Sequence, residues 1–123
     1  MSRVKGRDTK PELLVRSLVH RMGFRFRLHR RDLPGNPDIV LPRHAKVIFV
    51  HGCLWHGHKQ CPRSKRPTTN KEFWNRKLDQ NIERDDHFRR KLRRIGWKAL
   101  VVWECETRKA EKLLRKLEKF CGE

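Results

Sequence analysis

The chain of 123 residues has room for one domain with a single modest hydrophobic core. Lys and Arg number 32 against 14 Asp and Glu, and the net charge of +18 favours a nucleic-acid-binding protein over a generic basic one. Because no apolar run approaches the ~20 residues of a membrane span and no secretory signal opens the chain, we exclude a membrane protein and predict a cytoplasmic one.

The first third of the sequence predicts a helix followed by a strand. Residues 9–12 have the pattern of a capping box, with Thr9 as the cap and Glu12 as its partner. Apolar residues then recur at helical spacing until Gly23, which can end the helix. Phenylalanines alternate with arginines over residues 24–28, as in a half-buried strand.

The middle third predicts a hairpin and an irregular loop. Two short apolar runs, 38–41 and 46–50, are separated by a turn containing Pro42. Residues 51–67 show no periodicity, and this segment contains three His, two Cys and one Trp.

The last third predicts a helix, a strand and a helix. A second capping box at residues 69–72 starts a long helix that Gly96 ends. Its predicted buried stripe is Trp74, Leu78, Ile82, Phe88, Leu92 and Ile95. Residues 99–103 read as a central strand, and we assign Trp97 and Trp103 to the core. The whole pattern predicts a mixed α/β fold, with helices on the faces of one sheet.

The cysteines suggest a zinc site. Cys53, His58 and Cys61 lie within nine residues, and Cys105 directly follows the last predicted strand. Thiols stay reduced in the cytosol, and zinc takes four Cys and His ligands in structural sites. Cys121 on the terminal helix is a poorer fourth ligand than Cys105. The alternative is that these thiols are small buried apolar groups.

A second set of residues has the chemistry of a hydrolytic site. Asp38 opens an apolar strand, where its carboxylate can hold a hard cation such as Mg²⁺, and the carbonyl of Val50 could be a second oxygen ligand. His51 and His56 can act as acid or base at a phosphate. Each has a structural alternative, because Asp38 could belong to a turn and the histidines could be spare zinc ligands.

Two further carboxylates are less distinctive by spacing. Glu12 can be explained as the partner of a helix cap, and Asp85 as one of several charges on a solvated helix face. From spacing alone the structural interpretation is favoured for both.

Six blocks of sequence together resemble the very short patch repair (Vsr) DNA mismatch endonucleases. They follow the family's order over nearly the whole chain, as DTKPE at 8–12, LPGNPDIVLP at 33–42, VIFVHGC at 47–53, FW at 73–74, ERD at 83–85 and VVWEC at 101–105. The resemblance implies a single domain over residues 1–123 with a restriction-endonuclease-like core, a mixed sheet flanked by helices, and a structural zinc site.

The resemblance also implies an activity. Enzymes of this family use Mg²⁺ to nick one DNA strand on the 5′ side of the thymine in a T:G mismatch, which arises when 5-methylcytosine deaminates. The implied partner is double-stranded DNA carrying that mismatch, with other mismatch-repair proteins as further partners, and we expect the enzyme to be monomeric.

The resemblance assigns roles to the residues already singled out. Asp38 and the carbonyl of Val50 would bind magnesium, His56 would be the general base, and His51 would assist at the phosphate. Two carboxylates would orient metal-bound water or the histidine, namely Glu12 and Asp85. The zinc ligands would be Cys53, His58, Cys61 and Cys105.

The family also inserts aromatic side chains into the base stack beside the mismatch. Trp55 stands at such a position, although a core role is its alternative, and Leu54 stands where an aromatic residue is usual. Trp74 is expected in the core or at the active site. A basic N-terminal arm could reach DNA through Met1, Arg3 and Lys5.

Two other functions stay open. Leu54 is compatible with a restriction-type or relaxed-specificity nuclease of the same fold. A zinc-stapled DNA-binding module without catalysis is the other, and the pair of Asp38 and His56 argues against it because pure binding needs neither.

Overall fold

The computed structural model describes residues 9–122, so the predicted arm residues Met1, Arg3 and Lys5 lie outside the described part. Over these residues the chain forms three helices and four strands, joined by loops and short 3-10 turns. In chain order they are α1 (Lys10–Arg21), β1 (Arg27–Leu28), β2 (Ile39–Leu41), β3 (Lys46–His51), α2 (Lys71–Arg94), β4 (Lys98–Trp103) and α3 (Ala110–Gly122). None of the described helices has the length and apolar content of a membrane span.

The four strands form one mixed sheet in the order β1-β2-β3-β4. Strand β2 is antiparallel to β1 and β3, which confirms the predicted hairpin, whereas β3 and β4 run parallel. The predicted strand over residues 24–28 is limited to Arg27–Leu28, and both of its residues are exposed. A parallel pair needs a long crossover, and here the loop after β3 together with α2 provides it.

Helices cover both faces of the sheet, as the mixed α/β prediction required. Successive residues of β2 and β3 point to opposite faces, so Ile39 and Ile48 pack under α1 and α3, while Val40 and Val47 face α2. The α2 side of the core is the smaller one, and its helical contribution is Leu92. Both faces of these strands are therefore buried, which explains their continuous apolar runs.

Helix α2 differs from the prediction at both ends. No capping box forms at residues 69–72, because Asn70 is the N-cap residue, adopts a left-handed conformation and makes no side-chain cap bond. At the other end, Ile95 is 57% exposed because it follows the last helical residue and leaves the buried stripe. Within the stripe Leu78 and Leu92 are buried, and the remaining three predicted members are half-buried, namely Trp74, Ile82 and Phe88.

Candidate active site and metal centre

Three strand ends meet at one edge of the sheet. Asp38 immediately precedes β2, whereas His51 and Trp103 are the last residues of β3 and β4. Since β2 runs against the two parallel strands, its start lies beside their ends. The pairing of the sheet thus gathers residues that are far apart in sequence.

A hydrogen bond fixes Asp38 at this edge. The backbone N–H of Val50 donates to Oδ2 of Asp38 over 2.7 Å. Burial raises the pKa of the Asp38 carboxyl to about 6, against the lowering effect of the Val50 bond, and the negative charge of Glu12 raises it further. The site therefore holds a carboxylate that is costly to ionise until a cation lies beside it.

Glu12 and His29 complete a cluster around Asp38. The Glu12 side chain is buried, and its Oε2 lies 2.8 Å from Nε2 of His29 and also contacts Arg16. One ligand atom from each of Glu12, His29 and Asp38 lies within 4.8 Å of the others, a spacing that a metal ion could bridge. The helix-capping role of Glu12 is met by its backbone N–H, which donates to the Thr9 hydroxyl at 3.4 Å and leaves the carboxylate for the cluster.

Sequence reasoning missed His29. His29 follows the short strand β1, and its backbone N–H donates to the carbonyl of Asp38 over 3.2 Å. A signal was present, because the residue after a strand antiparallel to β2 comes next to the residue that precedes β2. The sequence predicted a strand over residues 24–28 but no partner strand for it. The position of His29 next to Asp38 therefore did not follow from the sequence.

A second cluster consists of His51, His56 and Asp85. The two imidazoles stack with centroids 3.8 Å apart and planes 10° apart, and His56 Nδ1 lies 2.5 Å from Oδ2 of Asp85. Burial lowers the pKa of His51 to about 3, and the neighbouring His56 lowers it further, so His51 is neutral at physiological pH. Its buried Nδ1 has no hydrogen-bond partner among the described residues.

One open cavity of about 310 Å³ connects the two clusters. Asp38, His51, His56 and Asp85 line it, and Arg89 forms part of its wall. Gly35 lets the loop before β2 close this cavity against α2. Its φ is +80°, and a Cβ there would lie 3.0 Å from the Cβ of Phe88, so a side chain is excluded.

The predicted zinc ligands form a third cluster. One ligand atom from each of four residues lies within 4.8 Å of the others, and these residues are Cys53, His58, Cys61 and Cys105. Cys105 Sγ lies 3.5 Å from Nδ1 of His58, whereas Cys121 is buried in the core under α3. Three thiols and one imidazole match the donor set of a structural zinc site.

Trp103 was predicted to lie in the core. It instead lies between the third cluster and the cluster of His51 and His56. Its ring stacks on His58 at a centroid distance of 4.3 Å and meets His51 edge-on at 5.5 Å. The prediction was wrong because the half-buried ring of Trp103 packs on the two histidines and belongs to neither core cluster. Trp97 does pack against the smaller core, in agreement with its assignment.

The residues predicted to contact DNA bases lie beside the catalytic cavity. Trp55 is half-buried and meets Trp74 edge-to-face, with centroids 5.8 Å apart. Leu54 and Trp55 line a second cavity of about 450 Å³, and its wall shares His51 and His56 with the first. Trp74 is therefore a neighbour of Trp55 and not a member of either core cluster.

Comparison with known proteins identifies the family. The model of the family described as DNA mismatch endonuclease Vsr matches residues 1–63. The DNA mismatch endonuclease Vsr of Escherichia coli K12 is 42% identical over 129 aligned residues, which cover 100% of this chain and 82% of the relative. The chain belongs to the Vsr family.

Other Vsr relatives are named for strand nicking. The Type II nicking enzyme V.XorIIP of Xanthomonas oryzae is 48% identical over 86% of this chain and 77% of its own length. The Type II nicking enzyme V.NmeAIP of Neisseria meningitidis is 43% identical over 88% of this chain and 76% of its own length. As a member of this family, the chain is a DNA endonuclease.

In this Vsr-family chain, the structure brings together the residues on which the sequence analysis depended. The predicted catalytic residues divide between the cluster around Asp38 and the cluster around His56, and the predicted zinc ligands form a cluster of their own. His29, Trp103 and Arg89 are additions that the sequence analysis did not supply.

The raised pKa of Asp38 predicts that this candidate active-site residue lowers the stability of the folded protein at neutral pH. Its value of about 6 exceeds the ordinary value of 3.8, so the folded state binds the proton more tightly than the unfolded chain. The contribution of Asp38 to wild-type stability should therefore fall as pH rises from about 4 to above 6. Without added divalent cations, we expect Asp38→Asn to be more stable than wild type by roughly 1–3 kcal/mol at pH 7, and equal to it near pH 4.

Urea denaturation at the two pH values measures this difference. Asp32→Asn is the control, because Asp32 is exposed and its bond to Arg30 lowers the pKa of its carboxyl, which gives no gain on neutralisation. An Asp38→Asn protein that is less stable than wild type at pH 7 would contradict the prediction.

Proposed function

We propose that this protein nicks double-stranded DNA on the 5′ side of the thymine in T:G mismatches, in a reaction that depends on Mg²⁺. The observation that carries the proposal is the shared cavity, in which the half-buried carboxylate of Asp38 faces a histidine held by a second carboxylate, His56 with Asp85. The names of two relatives, a DNA mismatch endonuclease and a nicking enzyme, support mismatch recognition and nicking.

We further propose that residues 1–123 form a single domain with a restriction-endonuclease-like core. Support comes from the mixed four-stranded sheet, which has helices on both faces and the acidic residues at one edge. The family match over residues 1–63 covers the part of the chain that supplies β1, β2 and β3.

The donor set around Asp38 suits Mg²⁺. The carboxylates of Asp38 and Glu12 offer hard oxygen ligands within 4.8 Å of one another. The Val50 N–H already points to Asp38, and the carbonyl of an extended residue faces the same neighbouring strand as its N–H, so this carbonyl is a suitable further ligand. Bound there, magnesium would polarise the phosphate and neutralise the charge that develops on it.

The histidine pair supplies the proton transfer. The bond from His56 Nδ1–H to Asp85 fixes the tautomer in which Nε2 is free to accept a proton from the attacking water. The oxygen of that water forms a bond to phosphorus as the bond to the leaving sugar oxygen breaks. His51 is neutral and stacks on His56, so it helps to hold the ring at the phosphate without adding a competing charge.

Mismatch recognition is assigned to the second cavity. Trp55 and Leu54 would enter the base stack, with Trp74 supporting Trp55 from α2. Unstacking costs least at a mispair, because the pair opens more easily there. The predicted arm residues would contact the duplex elsewhere, namely Met1, Arg3 and Lys5.

A nuclease of relaxed specificity is the second candidate, and Leu54 favours it. Leucine fills space between bases but offers no aromatic face to stack on, which reduces the energy available for selecting a distorted site. One assay separates this function from mismatch nicking and from DNA binding without catalysis.

The assay compares a T:G duplex with a matched duplex in Mg²⁺, with both strands resolved on a denaturing gel. We expect a cut only in the thymine strand of the mismatched duplex. Equal cutting of both duplexes would establish relaxed specificity, and binding without cutting would establish a binding module. Asp38→Asn should lower nicking by ~10³-fold or more, since a metal ion contributes several kcal/mol, yet leave DNA affinity nearly unchanged.

The third cluster is proposed to hold structural zinc. We expect about one zinc per wild-type chain and its loss in Cys61→Ser, with a lower melting temperature, because an ion pins the loop that follows β3. Cys121→Ser is the matched control, since this buried thiol lies outside the cluster and its loss should affect packing only. Metal analysis and thermal melting decide, and a Cys61→Ser protein with full zinc would refute the assignment.

The aromatic residue beside the active site is expected to govern discrimination. Trp55→Ala should reduce the preference for the T:G duplex over the matched one by about tenfold or more, because a base–aromatic stack contributes ~1–3 kcal/mol. Leu54→Phe should increase that preference. Ratios of nicking rates on the two duplexes measure both effects, and an unchanged ratio in Trp55→Ala would return Trp55 to a structural role.

A further inference from the structure

Arg89 lies on α2 one turn after Asp85, so both side chains project from the same side of the helix. Asp85, Phe88 and Arg89 together form the α2 wall of the catalytic cavity. The neighbouring Arg90 does not line this cavity, and its side chain is 63% exposed. Adjacent arginines on one helix thus have different surroundings.

Arg89 is the one Lys or Arg among the described residues that line the cavity. The other charged groups there are Asp38 and Asp85, both of which repel an incoming phosphate. A guanidinium keeps its charge at all relevant pH values and can donate two parallel N–H bonds to phosphate oxygens. Arg89 therefore places a positive charge in a cavity where the carboxylates repel the phosphate.

The guanidinium of Arg89 is only weakly engaged by protein. Its nearest ion-pair partner is Asp86 at 3.7 Å, and the same carboxylate group is contacted by Arg90 at 3.4 Å. Both contacts are partly exposed to solvent and are longer than a good charge-assisted hydrogen bond. Binding a phosphate therefore requires little disruption of the existing structure.

Arg89 also lines a neighbouring groove, whose other charged residues are Arg93 and Lys98. Arg93 lies one further turn along α2, so Asp85, Arg89 and Arg93 follow one helix face. A basic path of this kind matches consecutive phosphates of one strand.

We propose that Arg89 is a further catalytic residue, which contacts a non-bridging oxygen of the scissile phosphate and stabilises the charge that develops there during strand cleavage. This proposal rests on the proposed nicking function. In that reaction the proton of the attacking water passes to His56, while Arg89 transfers no proton and makes no covalent bond. Its contribution is a positive charge and two N–H donors, which its weak ion pair with Asp86 leaves available to the phosphate.

The test compares Arg89→Gln with Arg90→Gln. Both remove one charge from the same helix and the same Asp86 partner, but only Arg89 lines the cavity. Single-turnover nicking of the T:G duplex at saturating enzyme should fall ~10²- to 10³-fold in Arg89→Gln and less than about threefold in Arg90→Gln. Equal rates in the two variants would overturn the proposal.

A binding measurement localises the contact without relying on activity. In buffer without Mg²⁺, a methylphosphonate at the scissile position removes the charge that Arg89 should contact. We expect it to weaken binding about tenfold for wild type and Arg90→Gln, but less than about threefold for Arg89→Gln, because the partner is already absent. The same loss in all three proteins would overturn the proposal.

Arg89→Lys guards against a folding defect in the glutamine variant. Lysine keeps the charge and the aliphatic stem but loses the two-donor fork, so we expect about a tenfold lower rate at an unchanged melting temperature. A wild-type rate in Arg89→Lys would overturn the guanidinium contact. A wild-type protein that fails to nick any T:G duplex would refute the proposed function itself, and the Arg89 proposal with it.

Discussion

The hydrogen bond from the Val50 N–H to Asp38 is the interaction on which the site depends. It joins the start of β2 to the end of β3, so a half-buried carboxylate lies where two parallel strands stop. The same edge carries His51 and, across the parallel pairing, Trp103. The side chains that the proposed chemistry needs thereby lie at this end of the sheet or on the helices that cover it.

His51, at the end of β3, and the loop that follows it connect this corner to α2. His51 and His56 stack at the cavity, whereas Cys53 and His58 take part in the thiol and imidazole cluster. Such a loop has little apolar content with which to order itself, and Trp103 stacked against His58 is one contact that holds it in place. A zinc ion in the proposed site would order it further. Stability of the loop and orientation of the histidines are then coupled.

The sequence predicted those features that local periodicity controls. Continuous apolar runs predicted β3 and β4, and the clustered Cys and His predicted a group of residues that the structure brings together. Features that depend on tertiary contacts were missed. His29 reaches Glu12 only through strand pairing, and Asn70 begins α2 by a backbone conformation that residue preferences did not predict. The exposed position of Ile95 likewise depends on where the helix ends.

The protein carries an excess of positive charge overall and a pair of repelling carboxylates at the cavity. The chain has a net charge of +18, and such self-repulsion weakens a compact state. The carboxylates of Asp38 and Glu12 repel each other at the cavity. DNA would relieve the first strain by covering the basic surface, and a cation would relieve the second. Neither ligand alone neutralises both sets of charges, so we expect the DNA substrate and the cation to bind more tightly together than separately. Arg89 lies at the boundary between the acidic cavity and the basic groove.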